Sequence, residues 1–202
     1  MTIPALSLLT AYLIGGIPFG YFLVRATTGR DVRALGSGNI GATNVLRTAG
    51  RVLGVSTLVL DGAKGFLAVW LAARWTDGSP LWTSAAALAA MAGHAYPVFL
   101  RFRGGKAVAS FIGAYLYVAP LPLLAVLIVF VALVAYSRYI SLGSVVAAGT
   151  FPLAVWMILH PPLAVTACAA AAGAFIVYRH KANIERLRAG TENALNLSGK
   201  KR

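Results

Sequence analysis

The chain has 202 residues, of which 59% are hydrophobic and only 11% are charged, and its formal net charge is +13. Soluble domains carry charge on about a quarter of their residues, so this composition excludes an ordinary soluble domain. Apolar stretches of membrane-spanning length recur along the chain, which predicts an all-α polytopic membrane protein. The basic residues lie at the ends of those stretches, and no basic and aromatic platform accompanies them, so nucleic-acid binding is not expected.

Seven apolar segments are predicted to cross or enter the membrane. The first lacks a basic n-region and a small-residue cleavage site, so we expect a retained span and not a signal peptide. The fourth is short and the fifth slightly so; a re-entrant excursion over residues 108–136 would leave five spans. Without an evident linker, residues 1–202 are predicted to form a single domain. The segments are Ile3–Val24, Val52–Ala73, Leu81–Leu100, Val108–Val118, Leu121–Tyr136, Leu142–Leu159 and Leu163–Tyr178.

The basic residues also predict the orientation of these segments. With the N-terminus outside, the outer connections contain little charge. One holds Arg74 and Asp77, and another is a proline-rich turn at residues 160–162. The positive-inside rule then places the N-terminus outside and the C-terminus in the cytoplasm, and the five-span alternative keeps this orientation. The inner residues are Arg25, Arg30, Arg33, Arg47, Arg51, Arg101, Arg103, Lys106, Arg138 and the tail from Arg179.

The first polar segment, Arg25–Arg51, contains the densest group of small polar residues. Within it, Gly36–Asn44 reads Gly-Ser-Gly-Asn-Ile-Gly-Ala-Thr-Asn, and Arg47 follows. Glycines let a ligand approach the backbone, whose amides join the serine, threonine and asparagine side chains as hydrogen-bond donors. Such donors beside an arginine are typical of a phosphate or carboxylate site. We therefore predict anion binding here, the alternative being a turn-rich inner loop.

The second polar segment, Gly93–Lys106, ends one apolar segment and opens the next. Gly104 and Gly105 break the chain, and their amides beside Lys106 suit an anion. The spacing is not that of a Walker loop, so nucleotide hydrolysis is not implied. The alternative is a simple helix break with arginines that snorkel to the membrane surface.

The third polar segment, Arg179–Glu192, follows the last apolar segment. If that helix continues past the membrane, His180, Asn183 and Arg186 lie on one edge of it. Glu192 is expected to tie down the basic loop and not to take part in chemistry. Residues 196–202 are expected to form a frayed basic tail that orients the chain or contacts anionic lipid.

Several further residues are candidates on chemical grounds. Asp61 and Lys64 lie inside a span, where charge is expensive; they form either a structural clamp or a substrate contact. Ser141 and Ser144 open the sixth segment and either face a ligand or only pack. Cys168 lies in an apolar alanine run and is not a credible nucleophile. Carboxylates and histidines do not cluster at ligand spacing, so no metal is expected.

These three polar segments, in this order, resemble those of the PlsY family of bacterial membrane glycerol-3-phosphate acyltransferases, the acyl-phosphate-dependent type. The resemblance covers nearly the whole chain. Tyr96 replaces the usual phenylalanine, and Ala107 stands where a further glycine commonly follows the lysine, which is expected to stiffen that loop. The matching residues are Gly36–Asn44, Arg47, Gly104, Gly105, Lys106, His180, Asn183, Gly190 and Glu192.

The resemblance implies a seven-helix membrane fold in the bacterial cell (inner) membrane, with its catalytic face in the cytoplasm. It implies transfer of a fatty acyl group from acyl phosphate to the sn-1 hydroxyl of glycerol 3-phosphate, giving 1-acylglycerol 3-phosphate (lysophosphatidic acid) and phosphate. This is the first step of bacterial phospholipid biosynthesis. The implied partners are both substrates and membrane lipid, without a cofactor. Whether a soluble acyl-phosphate-producing enzyme of the PlsX type docks on the basic inner face is left open.

We expect the reaction to proceed by positioning and charge stabilisation, without an acyl-enzyme. Ser37 is interpreted as a phosphate ligand because no base is near it in sequence. The base that deprotonates the glycerol hydroxyl is His94, His180 or, as we favour, the donor's own phosphate. The predicted catalytic residues are Ser37, Arg47, Lys106, His180 and Asn183; the substrate-binding residues are Gly36, Gly38, Asn39, Thr43, Asn44, His94, Gly104, Gly105, Ser141 and Ser144; the structural residues are Asp61, Lys64 and Glu192.

The main alternative is a small membrane transporter of an organic phosphate. A transporter predicts polar residues spread through the membrane midplane and an internal repeat. Apart from Asp61 and Lys64, polarity gathers at one interface, and no repeat is evident. This pattern favours an interfacial enzyme that acts on a lipid-like substrate.

Overall fold

The computed structural model describes residues 2–195, and every regular element among them is helical. The chain divides into two compact units, one up to Val118 and one from Ala119 onward. The predicted single domain stays a prediction, and the basic tail at 196–202 lies outside the described residues. The α-helices are α1 Ile3–Gly15, α2 Phe19–Thr28, α3 Ala42–Ala49, α4 Arg51–Trp75, α5 Pro80–Ala95, α6 Val108–Val118, α7 Pro120–Ser137, α8 Ile140–Leu159, α9 Leu163–Arg179 and α10 Lys181–Arg188.

The first apolar segment, predicted as one span over Ile3–Val24, is broken inside into two helices. Helix α1 ends at Gly15 and α2 begins at Phe19, after Pro18. Proline lacks the backbone N–H that would continue the hydrogen-bond ladder, and it disfavours helical geometry at the residue before it. The two helices together, Ile3–Thr28, remain long and apolar enough to cross a membrane.

Close backbone contacts assemble the first unit. A Cβ on Gly93 of α5 would collide with the Tyr12 carbonyl of α1, and a Cβ on Gly113 of α6 would collide with the Gly62 carbonyl of α4. Glycine at such positions lets neighbouring helices approach until their backbones touch, as small residues do in membrane bundles. These contacts place α4 between α1, α5 and α6.

Helix length separates the segments that can cross a bilayer unaided from those that cannot. Within residues 2–195, four helical segments pass on length and apolar character: Ile3–Thr28, Arg51–Trp75, Pro120–Ser137 and Ile140–Leu159; the bent pair Leu163–Arg179 and Lys181–Arg188 makes a fifth. Helices α5 and α6 have 16 and 11 residues. They are about 24 Å and 17 Å long, short of a hydrocarbon core of about 30 Å. The count of seven crossings therefore stays a prediction.

In the second unit, α8 packs against both α7 and α9. The last apolar helix does not run straight past its end, so the condition stated for the third polar segment is not met. Helices α9 and α10 meet at an angle of 57°, with His180 at the junction. The predicted straight edge of His180, Asn183 and Arg186 is thereby replaced by a corner.

Candidate functional site

The first polar segment begins with a charged turn. Asp31 caps the short 3₁₀ helix Val32–Ala34, and its Oδ1 accepts from the Arg33 backbone N–H at 2.9 Å. The Arg33 guanidinium also lies 2.7 Å from Asp31 Oδ2. These hydrogen bonds from Arg33 hold the pKa of the Asp31 carboxyl below its ordinary value, so the pair is charged at neutral pH.

Asn44 organises the loop that follows. Its side chain is 3% exposed, and its Oδ1 accepts from the Ser37 backbone N–H at 2.9 Å. Its amide nitrogen donates to three backbone carbonyls, those of Val32 at 3.3 Å, Leu35 at 3.0 Å and Asn39 at 2.8 Å. An asparagine offers both a donor and an acceptor group, so one side chain can close a loop upon itself.

This arrangement changes the expectation that consecutive loop amides point outward. The N–H of Ser37 is taken by Asn44, that of Gly38 by the Leu35 carbonyl at 3.0 Å, and that of Gly41 by Asn39 Oδ1 at 2.8 Å. The exposed parts of the loop are Gly36, Ser37 and Gly38, with Gly36 and Gly38 at φ of 55° and 70°. Arg47 of α3 is also exposed, whereas Thr43 is half-buried.

The first and second polar segments share one apolar base. A buried cluster joins Val32, Ile40 and Val45 of the first segment to Leu100 of the second, and Val24 of α2 completes it. Each is no more than 7% exposed. The structure therefore brings these two predicted segments together within the first unit.

The second polar segment folds back on the end of α5. The N–H of Gly105 donates to the His94 carbonyl at 3.0 Å, and that of Gly104 donates to the Ala95 carbonyl at 3.2 Å. Lys106 follows half-buried, and Ala107 is buried at a φ of 62°. A left-handed alanine costs roughly 1–2 kcal/mol, which is why a glycine would be easier to accommodate there. The expectation that Ala107 stiffens this loop stays a prediction.

In the second unit, Glu192 connects the third polar segment to α8. Its Oε1 accepts from Asn183 Nδ2 at 2.8 Å and from the Ser141 hydroxyl at 3.1 Å, and its Oε2 accepts from Arg186 Nε at 2.8 Å. Burial raises the pKa of this carboxyl, but the hydrogen bonds from Asn183, Arg186 and Ser141 and the Arg186 charge outweigh it, so the net pKa is lowered. These are the contacts of a structural anchor.

The two serines of α8 make protein contacts here. Ser141, which sequence reasoning allowed to face a ligand, donates to Glu192, and Ser144 donates to the Ile140 carbonyl at 2.9 Å. A serine that bonds back to the preceding turn is common in membrane helices. Ligand binding by these two hydroxyls stays a prediction.

His180 is fixed by the corner between α9 and α10. Its ring is buried, and Nδ1 lies 2.8 Å from the Ile176 carbonyl. A carbonyl can only accept, so Nδ1 is the nitrogen that donates to Ile176. The ring is thus oriented by the backbone of α9.

Comparison with known proteins assigns the chain to a family. A family model described as "Glycerol-3-phosphate acyltransferase" matches residues 5–190. The chain belongs to the glycerol-3-phosphate acyltransferase family. Curated proteins of that name are 48% identical over 183 residues in Geobacter sulfurreducens, with 91% of this chain and 93% of the relative covered, and 46% identical over 193 residues in Geotalea daltonii, with 96% and 98% covered.

Solved structures of the glycerol-3-phosphate acyltransferase family share the fold. The crystal structure of PlsY, an integral membrane glycerol 3-phosphate acyltransferase, in its glycerol 3-phosphate form is 36% identical with a TM-score of 0.90, and 96% of each chain is covered. Its lysophosphatidic acid form is 35% identical with a TM-score of 0.87, with 96% of this chain and 95% of that chain covered. The resemblance to the PlsY family is confirmed, and the chain is an integral membrane acyltransferase of phospholipid biosynthesis.

The sequence did not predict the contacts of two of the candidate site residues. Asn44 was expected to meet substrate, yet its side chain is occupied by the loop around it. His94 was expected to meet phosphate, yet its ring is buried with Nδ1 3.7 Å from Asp61 Oδ1. Asp61 and His94 are far apart in sequence, so their spacing carries no signal of this contact.

Proposed function

We propose that this acyltransferase moves a fatty acyl group from acyl phosphate to the sn-1 hydroxyl of glycerol 3-phosphate, releasing 1-acylglycerol 3-phosphate and inorganic phosphate. Both substrates bear a phosphate group. The observation that carries the proposal is that two basic segments with glycine-rich loops, the first and the second, stand on one apolar cluster. Two neighbouring anion sites suit a reaction in which both reactants are phosphates.

We assign the loop residues of the first and second polar segments to the two substrate phosphates. Ser37 and Arg47 bind one substrate phosphate. Gly36, Gly38 and Asn39 form the loop surface that this phosphate approaches, and Thr43 supports the same phosphate site. Lys106, with Gly104 and Gly105, binds the other phosphate or completes the same pocket. Asn44 acts by keeping the first loop in shape. Experiment decides which of the two phosphate sites binds which substrate.

The proposed chemistry is direct transfer. The sn-1 oxygen attacks the acyl carbonyl carbon, the bond between that carbon and the bridging phosphate oxygen breaks, and phosphate leaves with the electron pair. Lys106 and Arg47 stabilise the negative charge that develops on the leaving phosphate. An acyl phosphate is an activated mixed anhydride, so a covalent acyl-enzyme is not required.

The proton of the attacking hydroxyl has two candidate destinations. One is an oxygen of the donor's own phosphate, which lies next to the reacting carbonyl in any productive pose. The other is Nε2 of a neutral His180 ring, since Nδ1 faces the Ile176 carbonyl. We favour the phosphate because it needs no further group. His180 and Asn183 keep the catalytic roles predicted for them from the sequence, with Glu192 anchoring Asn183.

The proposed location is the cytoplasmic face of the bacterial inner membrane, with the N-terminus outside and the C-terminus inside. The positive-inside rule supports this for all three polar segments. Acyl phosphate and the product are amphiphilic and partition into the bilayer, and glycerol 3-phosphate is water-soluble. A site at the membrane surface is accessible both to acyl phosphate in the bilayer and to glycerol 3-phosphate in water. A soluble enzyme of the PlsX type that makes acyl phosphate is a proposed partner on this basic face.

The test is a donor assay on the purified protein in detergent. Glycerol 3-phosphate is supplied with acyl phosphate, acyl-CoA or acylated acyl carrier protein, with and without EDTA, and lysophosphatidic acid and phosphate are quantified. We expect equal amounts of both products from acyl phosphate only, unchanged by EDTA. Absence of product with acyl phosphate contradicts the assignment, and loss of turnover in EDTA contradicts its metal-free chemistry.

A further inference from the structure

Three buried titratable side chains of the first unit have no part in the proposed chemistry. On α4, Asp61 Oδ1 lies 2.7 Å from Lys64 Nζ, and both side chains are 2% exposed. The same oxygen lies 3.7 Å from Nδ1 of His94, near the end of α5. Burying an ion pair costs more desolvation free energy than its attraction commonly returns, and aliphatic residues would avoid that cost. Charges at these positions therefore call for an explanation beyond packing.

Among these three residues, Lys64 contacts the break between α1 and α2 in the first span. Lys64 Nζ donates to the carbonyl of Ile17 at 2.6 Å, and it lies 5.8 Å from the centre of the Phe19 ring. Ile17 precedes Pro18 in the stretch between α1 and α2, where the helical hydrogen-bond ladder is interrupted. Lys64 supplies this carbonyl with a charged donor, and the break is thereby fixed against α4.

His94 contacts the loop that carries Lys106. The His94 carbonyl accepts from the Gly105 N–H at 3.0 Å. A Cβ placed on Gly105 would collide with Nε2 of the His94 ring, so the imidazole packs directly on the Gly105 backbone. The ring is thus sandwiched between the Asp61 carboxylate and the peptide that precedes Lys106. A shift of the ring must displace that peptide, because closely packed groups transmit strain.

We propose that Asp61, Lys64 and His94 form a positioning network that sets the position of the Gly104–Gly105–Lys106 loop for phosphate binding. The three residues touch no substrate; they act through the loop backbone. The inference rests on the proposed function, because that function assigns this loop to a substrate phosphate. It also replaces the expectation that His94 is itself a phosphate ligand or the base.

A purely structural clamp and a positioning network differ once both charges are removed together. The double variant Asp61→Asn/Lys64→Met leaves no lone buried charge, and neutral replacements of buried pairs are commonly tolerated. We expect this variant to unfold at a temperature near that of the parent. We expect the KM of the substrate whose phosphate binds this loop to rise roughly tenfold to a hundredfold, with a smaller change in kcat. A folded double variant with both KM values unchanged contradicts the proposal.

A second variant and a matched control guard against misfolding. His94→Gln keeps a polar group towards Asp61 but removes the flat ring from Gly105, and it should raise the same KM. Thr57→Val removes a buried hydroxyl from α4, one turn before Asp61, and both KM values should stay at those of the parent. If neither the double variant nor His94→Gln folds, the role is structural and the proposal is wrong.

Binding measured without turnover separates this inference from the proposed function. If the parent makes no product from acyl phosphate, the proposed function fails. The network is then judged by equilibrium binding of glycerol 3-phosphate and of inorganic phosphate to the parent and the double variant. We expect the double variant to bind at least one of the two roughly tenfold more weakly or worse. Equal binding of both contradicts the network.

Discussion

Asn44 tests how the first polar segment keeps its shape. Asn44→Asp replaces an amide nitrogen that donates to three carbonyls with an oxygen that faces them. A buried charge turned towards carbonyl oxygens should lower the free energy of unfolding by roughly 3 kcal/mol or more. Thermal unfolding in detergent measures this.

Asn39 provides the matched control for that substitution. Its Oδ1 accepts from the Gly41 N–H at 2.8 Å, and an aspartate keeps this acceptor. Asn39→Asp should therefore unfold close to the parent temperature. An Asn44→Asp variant as stable as Asn39→Asp would show that the three carbonyl contacts do not hold the loop.

Glu192 makes the stability of the second unit depend on pH. Its hydrogen bonds with Asn183, Arg186 and Ser141 lower its pKa below the ordinary value of 4.5 despite its burial. A carboxyl with a lowered pKa in the folded state adds stability that is fully present above 4.5 and is lost as the pH falls through the folded pKa.

The corresponding measurement compares unfolding temperatures of the parent and Glu192→Gln across pH. The gap should be largest near neutral pH and should close below about pH 4.5. A gap that does not change with pH would mean that the Glu192 charge adds nothing to stability.

At the scale of elements, the contact between α4 and α6 is a point of tight packing. Gly113→Ala should lower the free energy of unfolding by roughly 1–3 kcal/mol, because its methyl group would collide with the Gly62 carbonyl. Gly149 of α8 has open space around it, so Gly149→Ala should be neutral or gain up to about 1 kcal/mol from helix propensity. Thermal unfolding of both variants measures this, and equal effects would contradict the packing account.

The sequence predicted most helices because apolar length is a strong signal. Val108–Val118 was predicted with the bounds that α6 has, and its shortness was evident. The break before Pro18 and the corner at His180 were missed, since both lie within or beside apolar runs that satisfy a span by composition. Leu81–Leu100 was also too long: α5 ends at Ala95, and Val98–Leu100 forms a separate 3₁₀ turn.

The candidate site was also predicted only in part. Residue types and order marked the three polar segments, because clustered glycine, asparagine and basic residues have few uses in an apolar chain. The sequence could not show how Asn44 folds its loop or that Lys64 reaches Ile17, which is 47 residues away. Such contacts depend on three-dimensional proximity, and no periodic pattern encodes them.

At the scale of the whole molecule, charge asymmetry predicts the orientation in the membrane. In a Cys168→Ala background, Ser79→Cys should react with a membrane-impermeant thiol reagent added to intact cells. Lys181→Cys, exposed on α10, should react only after permeabilisation. The reverse pattern would place the basic segments outside and contradict the positive-inside assignment.

The central claim is that the acyl group passes directly between two phosphate-bearing substrates, with Ser37 as a phosphate ligand. The most direct measurement is rapid acid quenching of the protein with acyl-labelled acyl phosphate in the absence of glycerol 3-phosphate. We predict that no labelled acyl group stays covalently attached, while addition of glycerol 3-phosphate yields labelled lysophosphatidic acid. Stoichiometric labelling of the protein that disappears in Ser37→Ala would contradict direct transfer and make Ser37 the nucleophile.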